Sequence, residues 1–372
     1  MTDPIVVPAF DAIPLPAPAW LLQALLALCF TLHVVPMSVM LGGGFWALVA
    51  RSRRGDPALA DLAHRLGKWL PYWTAAAVTT GVATLLFLQV LYGPVFYAAS
   101  VLMARPWLSV VALVMVGYYG YYFRALRDER SPRAAFAAGA VAFLALLAVS
   151  FVYANVMTLM LAPARHYRMY LANPTGGWLN LAEPTLLARW LHMVVGAVAL
   201  GALWVAALGA LAVRRGEVEA GRAVVAFGAR GFALATAFEV VVGFWFLAAL
   251  PPEQRLLFVG GGQLASFYLL VSLLLTFSAL AIAWKLPARE RPLPGLIAAA
   301  GHVLVVVMLM IGMRAIVRRE ALRGVLDLGA VKADPQWGVI ALFLVLLVAG
   351  LATVGWMLLQ LRRPAPSASL PR

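Results

Sequence analysis

Cysteine is nearly missing from this chain: 372 residues contain one, Cys29. A single thiol excludes a disulfide framework, a Cys-rich metal site and the paired cysteines of covalent haem attachment. Acidic residues are scarce too, 15 against 29 Lys and Arg, and charged residues of both signs make up only 12% of the chain. Beside 64% hydrophobic residues and a mean hydropathy of +0.91, so little charge excludes an ordinary soluble domain and marks a polytopic α-helical membrane protein. The net charge of +14 does not indicate nucleic acid, because the basic residues fall in short connections between apolar runs and form no stripe or tail. The first residues, MTDPIVVPAFDAIPLPAPAW, lack a basic n-region and are rich in proline, so they read as an extended arm and not as a cleavable signal peptide. No internal repeat is visible, which argues against the broken, paired helices of a secondary transporter.

What is present is a series of long apolar runs. About twenty apolar residues at 1.5 Å rise cross a bilayer, and nine such spans are expected, at 18–50, 70–93, 106–125, 134–161, 186–213, 223–249, 263–286, 293–316 and 337–361. The expected fold is therefore an all-α integral membrane bundle of about nine transmembrane helices, with an arm at 1–17, a transmembrane domain at 18–362 and a tail at 363–372. Basic residues concentrate after spans one, three, five and seven, so the positive-inside rule places the N-terminus outside and the C-terminus inside. One loop breaks the trend: Arg314, Arg318, Arg319, Arg323 and Lys332, after span eight, would face outward. Anion binding and a simple amphipathic surface helix explain that exception equally well.

The run that organises the chain is LQALLALCFTLHVVPMSVMLGGGFW, Leu22 to Trp46, with His33 near its middle and Pro36 three residues on. His33 lies roughly 20 Å below the outer boundary, and an imidazole at that depth needs a hydrogen-bond acceptor or a metal. His302 in span eight falls at a similar depth by residue count, giving a central tier, while His192 with Met310 or Met313 gives an outer one. His64 and His166 fall in loops and read as solvated. No Asp, Cys or second His stands at i+3 or i+4 from any of the three, which argues against zinc and suits haem, whose iron takes one or two axial side chains from separate helices. Gly42 to Gly44, Gly196 and Gly201 would leave room for a flat macrocycle or for close helix packing. The outer arginines would suit haem propionates. Glu239 is the lone acid inside a span, a candidate proton site or counter-charge to a haem.

These stretches resemble subunit I of the cytochrome bd quinol oxidases. LQALLALCFTLHVVP is similar to that family's first-span motif, whose histidine ligates a high-spin haem; the resemblance implies that role for His33. RWLHMVVGAVALGALWVAALGALAVRRG is similar to the fifth-span segment whose histidine ligates low-spin haem b, which implies His192. GVATLLFLQVLYG resembles the second span, with Gln89 where the family has a glutamate, and SFVYANVMTLMLAP resembles the end of the fourth. The chain departs from the family in span three, where WLSVVALVMVGYYGYYF carries no acid, and in the loop after span six, which is reduced to PPEQRLLFVGGG. Met310 or Met313, with Arg314 after it, would have to replace the family's methionine ligand from a different span.

The resemblance implies haem b, one or more, with a high-spin or d-type haem possible, in a bacterial inner membrane. The expected function is that of a haem-binding electron-transfer subunit relaying electrons between the quinone pool and a redox partner at the outer face. Membrane lipid, other subunits of a respiratory complex, and a c-type cytochrome or quinone are the expected partners. Alternatives are a complete bd-type terminal oxidase acting with another subunit, and a polytopic transporter without haem.

Overall fold

The computed structural model describes residues 14–360 except Arg54, so most of the expected arm (1–13) and all of the expected tail (363–372) lie outside the described residues. Among the described residues nine helices are long and apolar enough to cross a membrane, as expected. They are α1 Ala19–Ser52, α2 Pro57–Leu102, α3 Ala104–Arg127, α4 Pro132–Leu159, α5 Pro184–Arg214, α6 Val218–Ala249, α7 Gln263–Lys285, α8 Pro292–Ala321 and α9 Trp337–Gln360. Proline opens α2, α4, α5 and α8, where its missing N–H costs nothing. Odd-numbered helices begin at one face of the bundle, termed here the N-terminal face, and even-numbered ones end there. Residue Leu15 of the arm pairs with the α8–α9 connection: its N–H donates to Lys332 O, and its carbonyl accepts from Asp334 N, both at 2.9 Å.

Helix α2 starts well before its apolar run because its first turns are amphipathic. Leu59, Leu62, Ala63 and Leu66 are buried at helical spacing, with Arg65 and Lys68 turned outward. Asp56 caps it, its Oδ1 accepting from Ala58 N at 3.0 Å and Leu59 N at 3.2 Å. His64, expected to be solvated in a loop, sits on this helix instead, with Nδ1 2.9 Å from Asp128 Oδ2 and Nε2 3.4 Å from Glu129 Oε1. His166 is likewise no loop residue in water. It is buried at the start of a short helix, His166–Ala172, its Nε2 bonded to Leu159 O at 2.9 Å, and burial pulls its pKa below the ordinary value.

Arg124 overturns a simple reading of loop charge. It is 2% exposed, cradled where Gly67 of α2 and Gly139 of α4 leave room, and its Nη2 donates to Ala63 O at 3.1 Å and Ala47 O at 3.5 Å. One guanidinium thus ties α3 to the ends of α1 and α2 at the face opposite the N-terminal one.

The centre of the bundle is built from small residues, which let backbones approach where lipid supplies no hydrophobic drive between helices. A Cβ on Gly42 would strike the Ala197 carbonyl oxygen and the Gly201 backbone of α5. Gly44 accommodates the buried Tyr121 hydroxyl. Gly42, Gly44 and Gly201 therefore serve close packing within the bundle. Gly42→Ala is expected to cost about 1–3 kcal/mol by overpacking, read as an earlier thermal transition in detergent. Gly43→Ala, whose Cβ would meet only Leu70 Cδ2 at 3.6 Å and Val39 Cγ1 at 4.0 Å, should leave the transition in place. One apolar cluster around Leu41, Trp46, Leu70, Ala202 and Phe232 fills the bundle below this contact, and a second around Leu22, Leu88, Phe96 and Met160 fills the N-terminal face. The histidine-bearing segments lie between them.

Candidate functional site

His33 projects from α1 toward α2. Its Nδ1 lies 2.9 Å from Ala77 O, and Gly81, one turn on, leaves the ring its space: a Cβ there would stand 2.9 Å from His33 Cε1. A carbonyl oxygen only accepts, so Nδ1 carries the proton and Nε2 the lone pair. Pro36, inside α1, supplies no N–H to the carbonyl of Leu32, which loosens the helix beside the histidine. The ring of Phe30 stacks at 6.3 Å from the His33 ring.

His192 projects from α5 toward α6, where Glu239 Oε1 stands 2.9 Å from its Nδ1. The pair is close enough for an ionic contact but its angles depart from a well-aligned hydrogen bond, and Glu239 Oε2 is buried without a partner. Small residues again make the room. A Cβ on Gly196 would come 3.1 Å from Glu239 Oε1, and one on Gly243 would come 3.3 Å from His192 Cε1. Phe246 lies 6.0 Å from the His192 ring. In both places an oxygen stands 2.9 Å from the imidazole Nδ1 and a glycine lies beside the ring, and at His33 the contact is a hydrogen bond.

Arginines join the two histidines. The Arg314 guanidinium of α8 lies 4.8 Å from the Phe30 ring, beside His33, and that of Arg189 lies 5.0 Å from Phe246, beside His192. Arg318 sits 4.4 Å over Tyr92 of α2. All three arginines line one narrow cleft with Met157, Met160 and Leu161. The Nε atoms of Arg189 and Arg318 are buried without an acceptor. Three cations converging on an apolar cleft, with orphaned donors, is an arrangement that an anion relieves. By contrast Arg319 is exposed and Arg323 pairs with Glu320, so the expected outer arginine group divides into an inward and an outward half.

The remaining candidates are spread along the same helices. Gln89 is half-buried and shares a face of α2 with Gly81 and Tyr92 by helical spacing. Met313 packs in the apolar cluster that includes Phe246, while Met310, also half-buried, is one turn before Arg314. His302 does not share a tier with His33. Arg314 stands level with Phe30, which sets His33 one turn below that level and His302, twelve residues earlier on α8, roughly 18 Å below it. His302 Nδ1 instead bonds Ala298 O of its own helix at 2.7 Å. Counting His33 from the outer end and His302 from the inner end misplaced it, because α1 and α8 run 34 and 30 residues, well beyond the roughly 20 that cross a bilayer. Arg189 escaped notice in the sequence, although its position three residues before His192 puts both on one helical face. Gly81 and Gly243 had no readable signal, since only the facing ring gives them a role.

The donors present fit haem. Each histidine keeps its Nε2 for a metal, and the arginines, two of them with orphaned Nε atoms, offer a place for carboxylates. No family model matches the sequence, and no curated protein matches it. Among solved structures, the bd oxidase from Geobacillus thermodenitrificans is similar, with a TM-score of 0.71 at 14% identity over 94% of this chain and 100% of that one. The chain thus has a bd oxidase-like fold.

Proposed function

We propose that this chain is a haem-binding electron-transfer subunit of a respiratory membrane complex, with His33 and His192 as axial ligands. One observation carries the reading: at both histidines Nδ1 faces an oxygen, which leaves Nε2 as the donor nitrogen, the division of labour that second-shell oxygens impose on metal-bound imidazole. Haem, when bound, supplies one-electron redox chemistry at its iron. Glu239 acts as a positioning residue, fixing the orientation of His192 and setting a negative charge against the site. Arg189, Arg314 and Arg318 take the carboxylates of the cofactor. Met313 would be the sulfur donor on the His192 side ahead of Met310, because it packs in the cluster with Phe246. His302 is left as a backbone-bonded residue. Gln89 supports the same face of α2 as a neutral polar group.

On this reading the chain sits in the bacterial inner membrane with its N-terminal face outward, among other subunits. It exchanges electrons between quinone and a c-type cytochrome or a second quinone. The outward arginines then steer an acidic partner, while the inward ones hold the cofactor. Electron transfer from a quinol in liposomes to external cytochrome c separates the two. Arg319→Gln with Arg323→Gln should slow transfer about tenfold at low salt and little at high salt, because exposed charges act through screened, long-range attraction. Arg318→Gln should lower haem content with no dependence on ionic strength. Equal salt dependence in both variants would contradict this division.

A further inference from the structure

We propose that the face opposite the N-terminal one carries a binding site for the phosphate of an anionic phospholipid, in the cleft where α1 ends and α2 and α4 begin. The cleft measures about 830 Å³, within the usual range for small-ligand sites, and Arg51, Arg53, Asp56, Arg133 and Phe136 are among its lining residues. Its charge is unbalanced. Asp56 is the acid among those residues, and its Oδ1 is committed to the amides that open α2. No ion pair among the described residues engages Arg51, Arg53 or Arg133. Arg53 rests instead 5.5 Å from the Phe227 ring. Ser131 makes no side-chain cap at the start of α4, so free backbone N–H groups add to the positive field there.

A lipid suits the cleft better than a free anion. The cleft lies where the apolar runs of α1 and α4 end, which is headgroup depth, and the exposed Phe136 gives it an apolar wall for an acyl chain. Loop charge assigns this face to the cytoplasmic leaflet, where anionic lipids concentrate and each basic residue adds about fivefold to their binding. The site stands independently of haem.

Native mass spectrometry of the purified full chain, offered equal phosphatidylglycerol and phosphatidylcholine, tests it. The wild type should retain phosphatidylglycerol preferentially. Arg51→Gln with Arg133→Gln should weaken that retention about twenty-five-fold, while Arg215→Gln with Arg222→Gln, the same charge change on the same face outside the cleft, should leave it. Equal loss in both double variants, equal retention of phosphatidylcholine, or displacement of the lipid by millimolar inorganic phosphate would each overturn the proposal.

Discussion

His192→Ala is expected to abolish the low-spin haem signal, and His33→Ala the high-spin one, each by tenfold or more in haem retained per chain. Second-shell losses alone cost metal sites ten- to hundredfold, and removing an axial ligand should cost no less. The two effects should be separable because the histidines sit on different helices and use different oxygen partners, the Ala77 carbonyl and the Glu239 carboxylate. Glu239→Gln keeps the shape beside His192 but removes the charge, so it should retain haem with a shifted reduction potential. His302→Ala should leave both signals, since its imidazole serves its own helix. Optical and electron paramagnetic resonance spectra of the purified variants read all four outcomes. If His33→Ala and His192→Ala both kept full haem occupancy, the ligand assignment would fail.

The second large effect is an absence of turnover. Supplied with reduced quinol or cytochrome c, the isolated chain should consume oxygen well below about one per second, under the lower end of typical enzyme rates. Oxygen reduction to water consumes four protons, so a site within the bilayer needs a conducting line of acids, hydroxyls or water. Helix α3 offers tyrosines and no acid across its apolar run, and Gln89 of α2 is an amide that cannot release and retake a proton at neutral pH. Glu239 is placed against His192 and is not part of a line. Sustained, cyanide-sensitive uptake at about ten per second or more, measured with an oxygen electrode, would show instead that the chain is a complete oxidase.

Much of this architecture was legible because a bilayer imposes simple rules on sequence. Long apolar runs located the nine membrane-length helices of the described residues, and His33 and His192 stood out within spans because lipid offers them no water. The unreadable parts are those decided by neighbouring helices. Nothing in PALADLAHRLGKW marks His64 as a partner for Asp128, sixty-four residues on, and Arg124 looks like any loop arginine until Gly67 and Gly139 enclose it. Glycines divide in the same way: of the two roles open to the conspicuous run, Gly42 and Gly44 take close packing, whereas the isolated Gly81 and Gly243 stand beside the imidazoles. Depth counted from span ends placed His302 beside His33, and the Arg314–Phe30 contact shows that the two helices are offset.

Haem bound among α1, α2, α5, α6 and α8 is what the proposed function requires. The reduced-minus-oxidised absorption spectrum of the full chain, purified from haem-replete membranes and paired with haem extraction and iron analysis, tests it most directly. The expected result is b-type bands with at least one non-covalent haem and one iron per chain. Protein that inserts and folds yet carries neither haem nor iron, and takes up none on addition of haemin, would contradict it.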